Sequence, residues 1–352
     1  MRLLLPLTLP LALMTLLVAA PPALAESGTG TDPDDPAAIE LLRRAAIAHS
    51  AVAYSGTQYI TAWNTMRPEA GSDSAIVEVD HDPGEQASMW RRGGARVDVG
   101  GGDGAPIIDT ESVDRIAESY QVVLARSGSV AGRDADIVHA YRADGSQAAA
   151  MWLDTATGLM LRRELYEPSG TVVNASSFVE ISVQTPECCS HLVRWVAHAT
   201  PQAASGSAAD SRAADVDELR EQGWHCPPSL GDGMRLHQAR RHGDTVQLSY
   251  SDGLVSVSVF EQRGRLDPDQ LSDYEKRDMG GGTVWVDAGT PPRVLWSTGE
   301  HVVTVVTDAP QQSVDAVLAR KPPVEADATE QGWGDRVLRG GERLVSWLNP
   351  FD

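Results

Sequence analysis

The residues with the chemistry to act as ligands or nucleophiles fall in three short stretches, and each reads more simply as structure. Asp80-His81-Asp82 offers two carboxylates and an imidazole, but alternation along an extended strand sends Asp80 and His81 to opposite faces, leaving a turn-capping or solvated role. Cys188-Cys189-Ser190-His191 groups two thiols with an imidazole, yet a tetrahedral zinc site needs a distant fourth ligand and the spacing fits no standard finger. The run Gly100 to Gly104 lacks the strand-to-helix setting of a dinucleotide loop and reads as a connection. There is no Gly-x-Ser-x-Gly elbow, no phosphate loop ending in Lys-Ser/Thr, and no His-Glu-x-x-His. The expectation is a binding protein, not an enzyme, with no metal and no cofactor.

Charge and compartment narrow the class further. A formal net charge of -20 argues against binding a phosphate backbone, because nucleic-acid binders present a basic stripe. Arg2, the apolar stretch Leu3 to Ala20 and the exit Ala23-Leu24-Ala25 are laid out as a secretory signal peptide over residues 1–25. An uncleaved anchor is the alternative, weakened by Pro6, Pro10, Pro21 and Pro22. Export places the chain in the periplasm or on the extracytoplasmic face of the cell membrane. In that oxidising setting three cysteines allow at most one disulfide: either Cys226 pairs with Cys188 or Cys189, or all three stay unpaired. The bridge would close a loop of roughly forty residues, which the chain-entropy model values at about 4 kcal/mol.

The elements that must carry these residues divide in two. After a polar start, Ile39, Leu42, Ala46 and Ile47 recur at helical spacing, and from Tyr54 the pattern turns to successive short strands broken by turns such as Asp82-Pro83-Gly84 and Pro168-Ser169-Gly170. That is an antiparallel meander with a helix, expected over residues 26–200, with a short helix near residues 114–119. A linker is expected at 201–215. A smaller α+β domain is expected over 216–322, with helices near 216–222, 267–276 and 310–320 and Ser251-Asp252-Gly253 as a hairpin turn. The tail, 323–352, places Trp333, Val337, Leu338, Leu344, Val345, Trp347 and Leu348 on a broad helical stripe flanked by Arg336, Arg339 and Arg343. It suits either docking on its own protein or lying in a membrane interface through residues 332–352.

Several strands are apolar on both faces: Tyr59 and Trp63 alternate with Ile60 and Ala62, and Met151 and Leu153 with Trp152. One face then needs a cover other than water. A helix laid on a curved sheet would supply it, and Trp63, Trp90, Trp152 and Leu161 are the candidate lining of a ligand pocket between them.

Particular motifs resemble a known family. Tyr54-Ser55-Gly56-Thr57, Val77-x-Val79-x-His81-x-Pro83-Gly84, Val130-Ala131-Gly132-Arg133, Trp152-Leu153-Asp154 and Thr157-Gly158-Leu159 through Leu161-Arg162-Arg163-Glu164 resemble the N-terminal domain of the RseB/MucB proteins, regulators of sigma-E factor. Tyr250-Ser251-Asp252-Gly253-Leu254 and Ser256-Val257-Ser258-Val259-Phe260 resemble its C-terminal domain. The composition and the tail resemble an actinobacterial-type branch. The resemblance implies a LolA/LolB-like half-barrel with a packed helix and a smaller second domain. It also implies binding to the exported part of a transmembrane, RseA-like anti-sigma factor in an envelope-stress pathway, with a lipid or lipoprotein as a second ligand. A LolA-type carrier of lipid or lipoprotein is the alternative.

Overall fold

A computed structural model describes residues 35–66, 71–83, 88–91, 96–97, 108–184, 211–231, 233–268, 271–279, 281–287, 292–307 and 309–323, all within one compact unit, Pro33–Asp352. The fold is α+β: two open antiparallel sheets with few helices.

The chain opens with α1 (Pro36–Ala51). Asp35 caps it by accepting the Ala37 N–H at 2.9 Å, and Pro36 sits in the first turn, where its missing N–H costs nothing. Strands β1 (Ala53–Trp63), β2 (Ser72–His81), β3 (Ser88–Arg91) and β4 (Arg96–Val97) follow. Then come α2 (Thr110–Ser119), β5 (Gln121–Leu124), β6 (Gly128–Val130), β7 (Arg133–Tyr141), β8 (Gln147–Asp154), β9 (Met160–Tyr166) and β10 (Val172–Gln184). The first sheet runs β4-β3-β2-β1-β10-β9-β8-β7-β5, with β6 also paired to β7.

Helices cover one face of this sheet, and along β2 the other face is exposed. Strand β2 shows why: Ala75, Val77, Val79 and His81 are buried, whereas Ser74, Ile76, Glu78 and Asp80, one residue out of phase, are exposed. Ala38, Leu42 and Ala45 of α1 and Val113 and Ile116 of α2 share a core with Val138, Ala140, Ala149, Met151 and Leu165 on the inner face. The end of α1, through Ala48, joins Tyr54, Val77, Val79 and Phe178 on the same face.

The second sheet contains β11 (Ser211–Ala213), β12 (Ser229–Gly231), β13 (Met234–His242), β14 (Thr245–Ser251) and β15 (Ser256–Arg263). It is completed by β16 (Glu275–Met279), β17 (Gly282–Val286), β18 (Arg293–Thr298) and β19 (His301–Thr307), with α3 (Val216–Glu221) near its start and α4 (Gln311–Arg320) after β19. The order is β11-β13-β14-β15-β19-β18-β17-β16, with β12 paired to β13. Every residue of β14 is buried, so this sheet is covered on both faces.

Two expectations change. Residues 271–276 do not continue a helix: Leu271 accepts the Tyr274 N–H in a single turn, after which the chain extends into β16. Ser211–Ala213, inside the stretch read as linker, is an edge strand paired with β13, and Asp215 caps α3. The remainder of that stretch lies outside the described residues.

Candidate functional site

The turn motifs of the first sheet converge on one hydrogen-bonded knot. Arg133 grips Asp154 with two bonds of 2.8 and 2.9 Å, and Asp154 also accepts the Thr157 N–H and hydroxyl at 2.9 and 2.6 Å. Burial alone would raise the Asp154 carboxyl, but these donors outweigh it and hold it below the usual range. Gly158, at φ 87°, closes the turn in a conformation that side chains avoid. The Arg44 guanidinium caps the turn through the carbonyls of Thr155 and Ala156, tying α1 to the β8–β9 connection. The motifs around Arg133 and Gly158 thus position the helix over the inner face.

The second-sheet motif performs a similar task between the two sheets. Asp252, buried in the β14–β15 turn, accepts the Leu254 and Val255 N–H groups at 2.8 and 2.9 Å and the Tyr120 hydroxyl at 2.6 Å. Burial pushes the Asp252 carboxyl up, and burial beside that carboxyl pushes the Tyr120 phenol up. Arg163 of β9, also buried, donates to the Leu254 carbonyl. A Cβ at Gly253 would collide with the Ser112 carbonyl and Ile116 of α2, so only glycine lets the turn approach so closely. A second bridge forms where Asn64 and Thr65 reach the carbonyls of Asp287 and Ala309, and Arg277 donates to the Met66 carbonyl.

The outer face of the first sheet is exposed along β2, whereas at its β7–β8 end Gly128 of β6 lies close against Ile137 and Trp152. Register places Ile137, Trp152, Arg162, Ser177, Tyr59 and Ile76 in one row across β7, β8, β9, β10, β1 and β2. Tyr59 is 44% and Ile76 40% exposed, and Val179, two residues beyond Ser177, is 64% exposed. The Arg162 guanidinium lies 4.6 Å over the Trp152 ring and is held there by Glu164, to which Tyr166 also donates. The large apolar side chains exposed on this face are thus Tyr59, Ile76 and Val179, on the adjacent strands β1, β2 and β10.

Trp152 and Leu161 meet in a small apolar cluster with Val130 and Ala135. Trp152 belongs to the outer row, and half-buried Trp63, opposite Ser72 at the far end of β1, lies on the same outer face by alternation from Tyr59. The Trp90 backbone pairs with Glu78, and its side chain lies outside the described residues. Cys226 is buried, which raises its thiol pKa; Cys188 and Cys189, and with them the candidate disulfide, lie outside the described residues. The tail from residue 324 and the segment 1–25 lie outside them too.

His81 is buried and stacks on His49 at 5.8 Å and against Tyr54 at 5.1 Å, while Asp80 is exposed. Burial, with His81 alongside, pushes His49 down to about 4, and burial pushes Tyr54 up to about 12. Among the described residues no three metal-ligating side chains come together, and no helix is long and apolar enough to cross a membrane.

Among solved structures, the chain is similar to the Pseudomonas aeruginosa MucA/MucB complex, at 19% identity over 82% of this chain and 100% of that one, with a TM-score of 0.46. It is similar to a crystal structure of MucB at 20% identity over 81% of this chain and 98% of that one, with a TM-score of 0.42. It also shows a weaker likeness to a LolA superfamily protein from Nitrosomonas europaea, at 11% identity over 77% and 90%, with a TM-score of 0.20. No curated protein sequence matches it. Residues 95–204 match the model of the MucB/RseB N-terminal domain, a stretch that contains both the Arg133–Asp154 knot and Arg163. The family model matches that stretch alone, 110 of the chain's 352 residues.

Proposed function

We propose that this chain is an extracytoplasmic negative regulator of a sigma-factor stress response. It binds the exported segment of a transmembrane anti-sigma factor, shielding it from proteolysis until an envelope-stress signal, a lipid or lipoprotein, displaces it. The observation that carries this reading is the MucB/RseB domain match over residues 95–204. The geometry supports a binding role: helices seated on one face of an open sheet, a second sheet locked to the first through Asp252 and Arg163, and recognition surface in place of a catalytic cluster. The net charge of -20 suits a partner segment that is basic, since complementary potential speeds encounter.

The test is genetic. Deleting the gene should raise transcription from promoters of one alternative sigma factor without any applied stress, and restoring the chain should return it to baseline. Unchanged transcription in the deletion strain, with defective transfer of a lipid or lipoprotein between membranes, would assign the chain to the carriers instead.

A further inference from the structure

The end of α1 rests on the first sheet through a pair of imidazoles. His49 stacks on His81 at 5.8 Å with the ring planes 13° apart, and Tyr54, opposite His81 in register, lies 5.1 Å from His81 and 6.4 Å from His49. His81 is 4% exposed, and Tyr54 shares an apolar cluster with Ala48, Val79, Leu159 and Phe178. The titratable groups on the elements around the pair do not offer it a counter-ion. From β1 comes the Tyr54 phenol, pushed up to about 12 by burial and so neutral. On β2, Glu78 and Asp80 point to the opposite face from His81, as does Glu180 of β10, and Asp82, the residue after His81, is exposed. Asp154, at the β8–β9 connection, is taken by Arg133, and Arg44 of α1 by the carbonyls of Thr155 and Ala156. Burial and the charge of His81 hold His49 down, with no carboxylate opposing them.

The stack is thus a poor place for positive charge: an imidazolium there loses hydration that no anion replaces, and two stacked imidazolium ions repel. The rest of α1 is fastened independently. Leu42 and Ala45 lie in the main core, Arg44 caps the β8–β9 turn, and the Asp35 N–H bonds the Val122 carbonyl at 3.0 Å. Over residues 47–51, by contrast, Ala48 is buried and His49 half-buried, while Ile47, Ser50 and Ala51 are exposed. We propose that the His49–His81 stack is an acid-operated latch: protonation of the imidazoles frees the last turn of α1 from the first sheet and uncovers Tyr54, Val79 and Phe178, while the earlier part of the helix stays docked. This inference does not rest on the proposed regulatory role.

Hydrogen exchange on the full chain at a series of pH values tests it, with rates corrected for the intrinsic pH dependence of exchange. Closing the latch keeps a proton off His49, so protection of amides 49–52 should be greatest above 6.5 and fall about tenfold for each pH unit below it, levelling at about 4. Amides 42–45 should keep their protection over the same range. His49→Gln with His81→Gln should make protection of 49–52 independent of pH. Imidazole proton shifts in the unaltered chain give a second reading that does not depend on the variant folding: His49 should take up its proton as protection of 49–52 is lost. Protection of 49–52 that is constant with pH, that falls equally along all of α1, or that keeps its slope in the double variant overturns the proposal, and so does a His49 that titrates while those amides stay protected.

Discussion

The phenol of Tyr120 donates a 2.6 Å hydrogen bond to Oδ2 of Asp252 across 132 residues of sequence. Tyr120 ends α2, which lies on the inner face of the first sheet, and Asp252 turns the β14–β15 hairpin of the second. The bond therefore joins the two sheets, and both partners are largely withdrawn from water.

Tyr120→Phe removes the hydroxyl and leaves a buried carboxylate short of a donor, at a cost of about 1.5–3 kcal/mol. Urea denaturation of Tyr120→Phe, Asp252→Asn and the double variant should give a double loss smaller than the sum of the two single losses. Additive losses would mean that the pair does not couple the sheets.

Gly253→Ala places a methyl group against the Ser112 carbonyl at a residue whose φ is 95°. The conformation alone costs about 1–2 kcal/mol, and the collision adds to it. The denaturation midpoint should fall more than for Gly145→Ala, where φ is 82° but nothing lies within reach of the added atom. Equal losses would show that the turn does not press on α2.

Lys321 and Glu261 form a buried ion pair, in which the ammonium also donates to the His225 carbonyl at 2.6 Å. Lys321→Met strands the carboxylate and should cost about 3–5 kcal/mol, whereas Lys321→Met with Glu261→Leu should recover most of it. Calorimetric melting of the three proteins checks both expectations.

His49, pushed down to about 4 by burial, is neutral in the folded protein and charged in the unfolded chain between that value and its ordinary 6.5. The unfolded state binds more protons in that window, so the contribution is complete above 6.5 and is lost as pH falls toward 4, up to about 3 kcal/mol. His49→Asn should flatten the stability profile between those values relative to the native chain. A profile with the same slope in both proteins would remove His49 as its source.

Strands and helices with strong periodicity were legible in the sequence. Alternation in β2 marks Val77 and Val79 as inward and Glu78 as outward, and α1 announces itself through Pro36 and the spacing of Ile39, Leu42 and Ala46. The stretch 271–276 was misread because Pro268 suits a helix start and a turn equally, and nothing local chooses between them.

The site was less legible because its geometry is made by pairing between distant strands. Trp152 and Tyr59 read as apolar positions that need a cover, and nothing local shows that register aligns them in one row through Arg162 and Ser177. The same holds for Arg163 and Tyr120, whose partners at Leu254 and Asp252 come from the other sheet. The one available signal was the Ser251-Asp252-Gly253 motif, visible as a turn but not as the contact it makes.

Affinity capture of the chain, tagged near Glu26, from gently solubilised membranes tests the central claim most directly, with mass spectrometry of both proteins and lipids. The account predicts recovery of one single-pass membrane protein with a cytoplasmic sigma-binding segment, whose exported part alone binds the purified chain at one-to-one stoichiometry. Recovery of acyl lipid with no such protein would contradict it.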